Sequence, residues 1–192
     1  MIWIHRSISN KTDHYKFWNE RVIETGLKTQ RGNLTILGVY APKEGRDELN
    51  EEFYETLLQK ILDKVNKNNY TMLVGDMNAR VGNNRVVNTV GTNAEATLNS
   101  NGRKLIDLRT FINLKIRNTF FKYKEIHKFI WEARRHKSVI DYFITNMEKS
   151  KVIQDSRDYI SNETGSGHYL LCAKLNFPPR WLKKSKKRTS LK

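Results

Sequence analysis

The sequence motif with the clearest capacity for chemistry is GDMN at residues 75–78, which places a carboxylate and an amide side by side. Asp76 and Asn78 follow directly after a predicted strand, and residues two apart at a strand end point in the same direction. A carboxylate can bind Mg²⁺ or take a proton from water, and the amide can hold a phosphate oxygen or the attacking water. The alternative is a Gly-Asp turn that caps the strand, because Asp and Asn favour such turns.

A second carboxylate, Asp141, interrupts the apolar run SVIDYFIT at residues 138–145. A carboxylate in a buried strand must be paired or bound to a metal. A histidine is one possible partner, since the carboxylate fixes the tautomer of the imidazole and raises its basicity. A structural hydrogen bond to a loop backbone is the other.

Two further candidates lie at predicted strand ends. His168 comes one residue before the apolar run YLLCAKL, so it is expected at the rim of a sheet, and Tyr40 ends the run LTILGVY. A single rim histidine is more often structural than catalytic, and a tyrosine in this position is typical of a core or turn residue. Their importance therefore depends on whether the fold brings them to Asp76.

The elements that must position these residues follow from hydrophobic periodicity. The apolar, β-branched runs at residues 34–40 and 70–75 predict two buried strands. Between them, apolar residues recur every four positions from Leu49 to Val65, which predicts a long amphipathic helix that begins near Asp47.

The second half of the chain is predicted to be rich in strands. Residues 83–102 contain many Asn, Gly and Thr and predict a surface loop, and a second helix is predicted after it. Four strands are then predicted at residues 115–121, 127–133, 138–145 and 169–177. Strand–helix–strand order followed by strands indicates an α/β protein with two sheets packed face to face and flanking helices.

Composition narrows the class of partner. The chain has 192 residues, which suits one domain, and 35 Lys and Arg against 20 Asp and Glu give a net charge of +15. Such a balance favours polyanions, chiefly nucleic acid. The alternative is a basic fragment whose charge reflects a biased genome or the loss of acidic parts. The tail at residues 177–192 is basic and is predicted to be disordered, either touching phosphates loosely or having no role.

Cysteine content and hydropathy predict the compartment. Cys172 is the single cysteine, which excludes an internal disulfide and a Cys-rich zinc site, and its apolar neighbours predict a buried small hydrophobe. No apolar run reaches the roughly 18 residues that a membrane helix needs. The first residues lack the apolar region of a signal peptide. A nuclear or cytoplasmic protein that is not secreted is therefore expected.

Taken in order, Tyr-x-Pro, Gly-Asp-x-Asn, Ile-Asp-Tyr and Ser-x-His resemble the endonuclease/exonuclease/phosphatase superfamily. The closer resemblance is to the endonuclease domains of non-LTR retrotransposons and to craniofacial development protein 2-like proteins. It covers residues 1–176 and rests on the segments NERVIETGLK, LTILGVYAP, LVGDMNARVG, SNGRKLIDL, RNTFF and SVIDYFIT. Members are four-layer α/β sandwiches that cut phosphodiester bonds with Mg²⁺ or Mn²⁺, so DNA and one of these cations are the implied partners.

The resemblance implies a role for each candidate. Asp76 is similar to the residue that orients or deprotonates the attacking water, and it is the one implied metal ligand in this chain. Asn78 is similar to its phosphate-contacting partner, and Tyr40 to the tyrosine that hydrogen-bonds a phosphate oxygen. His168 is similar to the histidine that stabilises charge on the phosphate, and Asp141 to the carboxylate that pairs with it.

Two departures from the family pattern lower the expected activity. The family has Ser-Asp-His where this chain has Ser166, Gly167 and His168, so an oxygen on the metal side is lost. The family's opening strands, with an Asn and the principal metal-binding Glu, are expected upstream of anything present here. The sequence therefore predicts a metal-dependent DNA endonuclease domain that is incomplete at its N-terminus and impaired. The alternative is a catalytically inactive nucleic-acid-binding remnant.

Overall fold

Strands supply most of the regular structure. The computed structural model describes residues 1–29, 32–65, 68–108, 113–122, 131–133, 136–146, 151–163 and 168–176, and this part contains ten strands. Their bounds are β1 Thr12–Asn19, β2 Val22–Thr29, β3 Gly32–Tyr40, β4 Tyr70–Asp76, β5 Leu114–Ile116, β6 Trp131–Ala133, β7 His136–Ser138, β8 Asp141–Asn146, β9 Ile153–Glu163 and β10 Tyr169–Leu175.

Six of these strands form one mixed sheet in the order β1-β2-β3-β4-β8-β5. The first three run as an antiparallel meander, β3 and β4 are parallel, and β8 is antiparallel to both of its neighbours. Parallel pairing requires a crossover connection, and the helical segment between β3 and β4 provides it. Two further antiparallel pairs, β9–β10 and β6–β7, form small sheets of their own.

The crossover is a continuous helix over residues 47–64 with an unusual centre. It consists of α1 (Asp47–Glu51), a π-helical segment (Glu52–Leu58) and α2 (Gln59–Lys64). Apolar residues spaced by four drift around a regular α-helix, whose period is 3.6 residues. The wider i→i+5 turns of the π-helix offset that drift, so Phe53, Leu58 and Ile61 are all buried.

The remaining helical elements are short. They are α3 (Ser100–Asp107) and two 3₁₀ helices, Arg6–Lys11 and Arg117–Phe120. Among the described residues, none of the helices has both the length and the apolar character that crossing a membrane would take.

The six-stranded sheet separates two cores. The helices pack on one face, where the cluster includes Leu37, Leu73 and Ile144. On the opposite face Leu34, Met72, Phe143 and Ile153 form the second cluster, against which half-buried side chains of β10 pack. The described residues thus supply a helical layer, a mixed sheet and a second sheet, which confirms the predicted α/β packing and accounts for three layers of the four-layer sandwich.

The second sheet covers only part of the face it packs on. Beside β10 an open apolar cleft of about 770 Å³ lies over β2, β3 and β4, and Met1 and Ile2 rest along it. Phe17, which also lines this cleft, is 71% exposed on the edge strand β1. The part of this sheet face over β2, β3 and β4 is therefore apolar but uncovered by the strands of the second sheet.

The predicted strands at 34–40, 70–75 and 169–177, and the helix from Asp47, agree with the structure. One strand prediction is half wrong: 115–121 is a strand only to Ile116 and then turns into a 3₁₀ helix. The reason is Asn118, whose side chain donates to the carbonyl of Asp141 at 3.0 Å and accepts from the amide of Phe143 at 3.3 Å. A side chain there takes the place of a backbone partner for β8.

The second helix, predicted from the spacing of GRKLIDLRTFINL at residues 102–114, is α3 (Ser100–Asp107) as far as the structure describes it, and residues 109–112 lie outside the described residues. Leu114 belongs to β5 and pairs with β8, and Asn113 has a positive φ of 44°, which ends any helix before it.

Cys172, predicted to be buried, is only half-buried. It alternates along β10 with Leu171 and Ala173, which pack against the second cluster, so it lies on the opposite face of the strand.

The predicted strand 138–145 is divided between the end of β7 and β8, and residues 127–130 of the predicted strand 127–133 lie outside the described residues. Strands β1, β2 and β9 had not been predicted. The basic tail, residues 177–192, lies outside the described residues.

We expect the uncovered sheet face to bind 8-anilinonaphthalene-1-sulfonate in the folded state, since this dye reports exposed apolar surface. Phe17→Ser should lower the dye fluorescence by roughly a third while leaving the thermal unfolding temperature almost unchanged. Val87→Ser is the control, because Val87 is 70% exposed but does not line the cleft. Equal effects of the two substitutions would contradict the assignment of the apolar surface to this face.

Candidate active site

Three neighbouring strands bring three of the candidate residues into one row. Tyr40 pairs with Asp76 across the parallel β3–β4 ladder, and Asp76 pairs with Asp141 across the antiparallel β4–β8 ladder. His168 comes from the opposite sheet, one residue before β10. With Asn78, all five predicted residues therefore meet where the two sheets adjoin, and four of them line a cleft of about 520 Å³. Asp141 lies behind His168.

His168 bridges the two carboxylates. Its Nδ1 lies 2.9 Å from Asp141 Oδ2, and its Nε2 lies 3.9 Å from Asp76 Oδ2. The hydrogen bond with Asp141 raises the pKa of the imidazole, although partial burial opposes this. A neutral ring that donates Nδ1–H to Asp141 presents Nε2 to the cleft, and protonation makes both nitrogens donors. The predicted Asp–His pair is thus present.

The pKa of the Asp76 carboxyl group lies close to neutral pH. Burial raises the pKa of its carboxyl group to about 6. The hydrogen bond from the backbone amide of Asn78 opposes this rise, and the negative charge of Asp141 adds to it. The backbone N–H of Asn78 donates this hydrogen bond to Asp76 Oδ1 at 2.8 Å. A carboxyl group with a pKa near the working pH is well suited to accept a proton from water.

Asn78 sits in a backbone conformation that few residues adopt. Its φ is +44°, in the left-handed region that Asn tolerates better than most side chains. Its Nδ2 donates to the carbonyl of Ala41 at 2.8 Å, which fixes the orientation of the amide beside the cleft. The sequence predicted Asn78 for its amide group, and the conformation adds a second reason for asparagine here.

Every backbone carbonyl of residues 77–80 accepts a hydrogen bond from outside this segment, from three parts of the fold. The donors, in chain order of the carbonyls, are the Tyr54 hydroxyl, Asn101 Nδ2, the Tyr142 hydroxyl and the backbone amide of Asn99. Burial raises the pKa of both phenols, so they remain protonated donors. The loop that carries Asn78 is therefore held in one conformation.

Helix α3 approaches this loop very closely. Asn99 caps the helix by accepting from the Gly102 amide at 2.8 Å, and the same Oδ1 accepts from the Arg80 amide at 2.9 Å. A Cβ on Gly102 would lie 1.9 Å from the Arg80 carbonyl oxygen, so only glycine fits. These supporting residues were not assigned roles from the sequence, although Asn before a helical run is a recognisable N-cap signal.

Two cations were also missed. Lys43 and Arg80 line the same cleft as Asp76 and His168. Lys43 lies close enough to lower the pKa of Asp76, a smaller effect than that of burial. No motif marked either residue, because a single Lys or Arg in a basic chain carries no signal of its own.

Two carboxylates, Asp76 and Glu44, line the cleft. Both oxygens of Glu44 accept hydrogen bonds from the start of α3, from Asn99 Nδ2 at 3.0 Å and from the Ser100 amide at 3.2 Å, so Asp76 is the better candidate for holding a divalent cation.

Within the described residues, no group of three His, Cys, Asp or Glu side chains could hold a metal ion. Mg²⁺ is usually held by one or two carboxylates, with water and substrate phosphate completing its shell. Asp76 is such a carboxylate, facing the cleft beside the Asn78 amide. Ser166 and Gly167 lie outside the described residues, so the effect expected of Gly167 stays a prediction.

Gly102→Ala tests the contact between α3 and the loop. A Gly→Ala change inside a helix ordinarily stabilises by about 1 kcal/mol, but here the added methyl group meets backbone. We expect the free energy of unfolding to fall by about 2–4 kcal/mol in urea melts. Gly45→Ala is the comparison, since a Cβ at Gly45 meets nothing within 4 Å; only its positive φ should cost stability, by about 1 kcal/mol. A stabilised Gly102→Ala variant would refute the close approach.

Asp76→Asn tests the raised pKa. The folded state binds the Asp76 proton more tightly than the unfolded state, so Asp76 costs stability as pH rises from about 4 to about 6. We expect Asp76→Asn to match wild type near pH 4 and to exceed it by about 2 kcal/mol at pH 8. Asp63→Asn, a change at an exposed helical position, should show no such growth with pH. A gap that stays constant across this range would show that the carboxyl group is not perturbed.

The chain matches no family model. It is 29% identical over 174 residues to craniofacial development protein 2 of Bos taurus and of Tragulus javanicus; the match covers 89% of this chain but 29% and 30% of those proteins. The chain therefore spans less than a third of the length of these curated relatives.

Solved structures show the same fold at low identity. The endonuclease domain of TRAS1, a telomere-specific non-LTR retrotransposon, has a TM-score of 0.58 at 15% identity over 83% of this chain and 65% of that one. An AP endonuclease from Leishmania major has a TM-score of 0.60 at 14% identity, over 82% of this chain and 55% of that one. An endonuclease/exonuclease/phosphatase family protein from Leptotrichia buccalis has a TM-score of 0.56 at 14% identity, over 81% of this chain and 53% of that one. The chain therefore has the endonuclease/exonuclease/phosphatase fold, and the resemblance predicted from its motifs is confirmed.

Proposed function

We propose that this chain is the phosphodiesterase domain of a metal-dependent DNA endonuclease related to those of non-LTR retrotransposons. The observation that carries the proposal is the placement of Asp76, Asn78 and the His168–Asp141 pair around one open cleft. These are a base, an amide and an acid of complementary character, arranged at the junction of two sheets. The proposed domain comprises residues 1–176.

The chemistry follows from the protonation states. Asp76, with a pKa of about 6, is ionised at neutral pH and accepts a proton from water that attacks phosphorus. The new P–O bond replaces the ester bond, and the departing alcohol takes up a proton from solvent. Protonated His168, held by Asp141, donates to a phosphate oxygen on which negative charge grows. In this proposal Tyr40 and Asn78, which line the same cleft, hydrogen-bond the phosphate as well.

A divalent cation, Mg²⁺ or Mn²⁺, would neutralise charge on the phosphate oxygens. Asp76 is the residue that would hold it, together with oxygens of the substrate. Because the described residues offer no group of three ligating side chains and the Glu44 carboxylate in the cleft is bonded to α3, we expect the cation to bind weakly and hydrolysis by this chain to be slow.

DNA is the proposed substrate for two reasons. The net charge of +15 favours a polyanion, and the solved neighbours are named as an endonuclease domain and an AP endonuclease. Such a substrate is compatible with a nuclear or cytoplasmic protein.

A second function is favoured by the donor set itself. If Asp76 alone cannot retain a cation, the cleft would bind nucleic-acid phosphates without cutting them. The chain would then be a nucleic-acid-binding remnant of the enzyme, with the same contacts to phosphate.

A plasmid-nicking assay in Mg²⁺ or Mn²⁺, run beside fluorescence anisotropy with labelled DNA, separates the two. For an active domain we expect slow nicking that EDTA abolishes and that Asp76→Asn reduces by about 100-fold or more. Asp63→Asn should nick like wild type. Because Asp76→Asn is expected to stabilise the fold, a loss of activity in this variant cannot be ascribed to unfolding.

Equal nicking by wild type and Asp76→Asn would identify a contaminating nuclease and reject the active domain. Salt-dependent DNA binding without nicking would establish the binding remnant, with log K falling as log salt rises. Absence of both activities would reject both functions.

A further inference from the structure

We infer that Arg80 forms a second phosphate subsite in the same cleft, which binds the phosphate of a neighbouring nucleotide and selects polynucleotides over small phosphodiesters. The inference rests on the proposed function, since it extends the same cleft. Arg80 lines the cleft together with Asp76 and His168, so one strand of nucleic acid could reach all three.

The Arg80 side chain is held from behind. Its Nε donates to the Ser138 hydroxyl at 2.6 Å and lies 3.5 Å from Glu95 Oε1. The Ser138 hydroxyl in turn lies 3.2 and 3.3 Å from the two oxygens of Glu95. Ser138 is 1% exposed and Glu95 is 6% exposed, so this support is part of the protein interior.

These contacts leave the functional end of the guanidinium group for a ligand. Within the described part of the chain, both contacts of the side chain run through Nε, and the terminal Nη groups have no protein partner. The side chain is 34% exposed. The Nη groups are the fork with which Arg binds phosphate oxygens in a bidentate manner.

The backbone of Arg80 is fixed as firmly as its side chain. Asn99 accepts from the Arg80 amide at 2.9 Å and donates its own amide to the Arg80 carbonyl at 3.0 Å. A solvent-facing arginine without a role would not need this support, because its side chain could remain mobile in water. A pre-positioned fork loses less conformational entropy when it binds phosphate.

The buried Glu95 has two opposing effects on DNA binding by Arg80. Glu95 partly neutralises Arg80, so its negative charge weakens the general attraction for DNA. We assign it a positioning role that outweighs this effect, since it and Ser138 aim the fork into the cleft. If general attraction dominates, removing the charge of Glu95 should strengthen DNA binding. If the positioning role dominates, removing it should weaken DNA binding.

The test measures affinity for a short fluorescein-labelled DNA duplex and, by competition, for a dinucleoside monophosphate, which has one phosphodiester and no neighbouring phosphate. We expect Arg80→Ala to weaken duplex binding about tenfold and to reduce the salt slope by about 1. Binding of the dinucleoside monophosphate should change less than about twofold. Arg85→Ala, at an exposed position outside the cleft, makes the same charge change and should alter duplex affinity less than about twofold.

Arg80→Lys and Glu95→Gln complete the set, with thermal melts to show that each variant is folded. Arg80→Lys keeps the charge but not the fork, and should weaken duplex binding about threefold. Glu95→Gln adds a net positive charge yet should also weaken duplex binding about threefold, because the fork loses its support. If Arg80→Ala is unfolded, the Arg80→Lys result decides.

Each outcome separates this inference from the proposed function. Duplex binding by wild type that falls equally in Arg80→Ala and Arg85→Ala, or tighter binding by Glu95→Gln, would overturn the subsite and leave the proposed function standing. The expected pattern without any DNA cleavage would support the subsite while rejecting the active enzyme. A wild-type chain that binds neither ligand would overturn both.

Discussion

Asp76 and Asp141 lie directly opposite each other on the antiparallel β4–β8 pair, and the rest of the site is arranged around this pairing of like charges. Two carboxylates in such positions repel each other and destabilise a sheet. His168 lies between them, bonded to one at 2.9 Å and 3.9 Å from the other. Because the histidine comes from the second sheet, the electrostatic balance of the first sheet depends on how the two sheets pack.

The loop at residues 77–80, which carries Asn78, is restrained by hydrogen bonds to its backbone. The loop after β4 is restrained through its backbone rather than through packing alone, since four successive carbonyl groups have separate donors. The donors come from the crossover helix, from β8 and from the start of α3. A shift of any one of these elements would therefore displace Asn78, and with it the amide that contacts Asp76.

Parts of this arrangement were predictable from the sequence because they follow from local patterns. Continuous apolar runs predicted β3, β4 and β10, and polar residues at the ends of those runs gave Tyr40, Asp76 and His168. The edge strand β1 was not predictable, since most of its side chains are exposed and lack a clear alternation. The 3₁₀ helix around Asn118 was missed because its cause is a tertiary hydrogen bond.

The supporting residues of the site were beyond sequence reasoning for a related reason. Glu95 and Ser138 are ordinary polar residues in a loop and a short strand, and only the folded chain brings them to Arg80. Asn99 carried a cap signal, but its second bond, to the amide of Arg80, has no sequence signature. Roles that depend on one contact across the fold leave no periodicity to detect.

The order of the strands has a consequence for how the protein acquires its site. Asp76, Asp141 and His168 are far apart in the chain, and β4 meets β8 only after the long intervening segment has closed. Contacts with large sequence separation form slowly, because loop-closure entropy must be lost before they contribute. No short fragment can therefore hold the carboxylate pair with its histidine. The site proposed to bind phosphate thus depends on the complete native topology, and ligand binding there would report that topology rather than local structure.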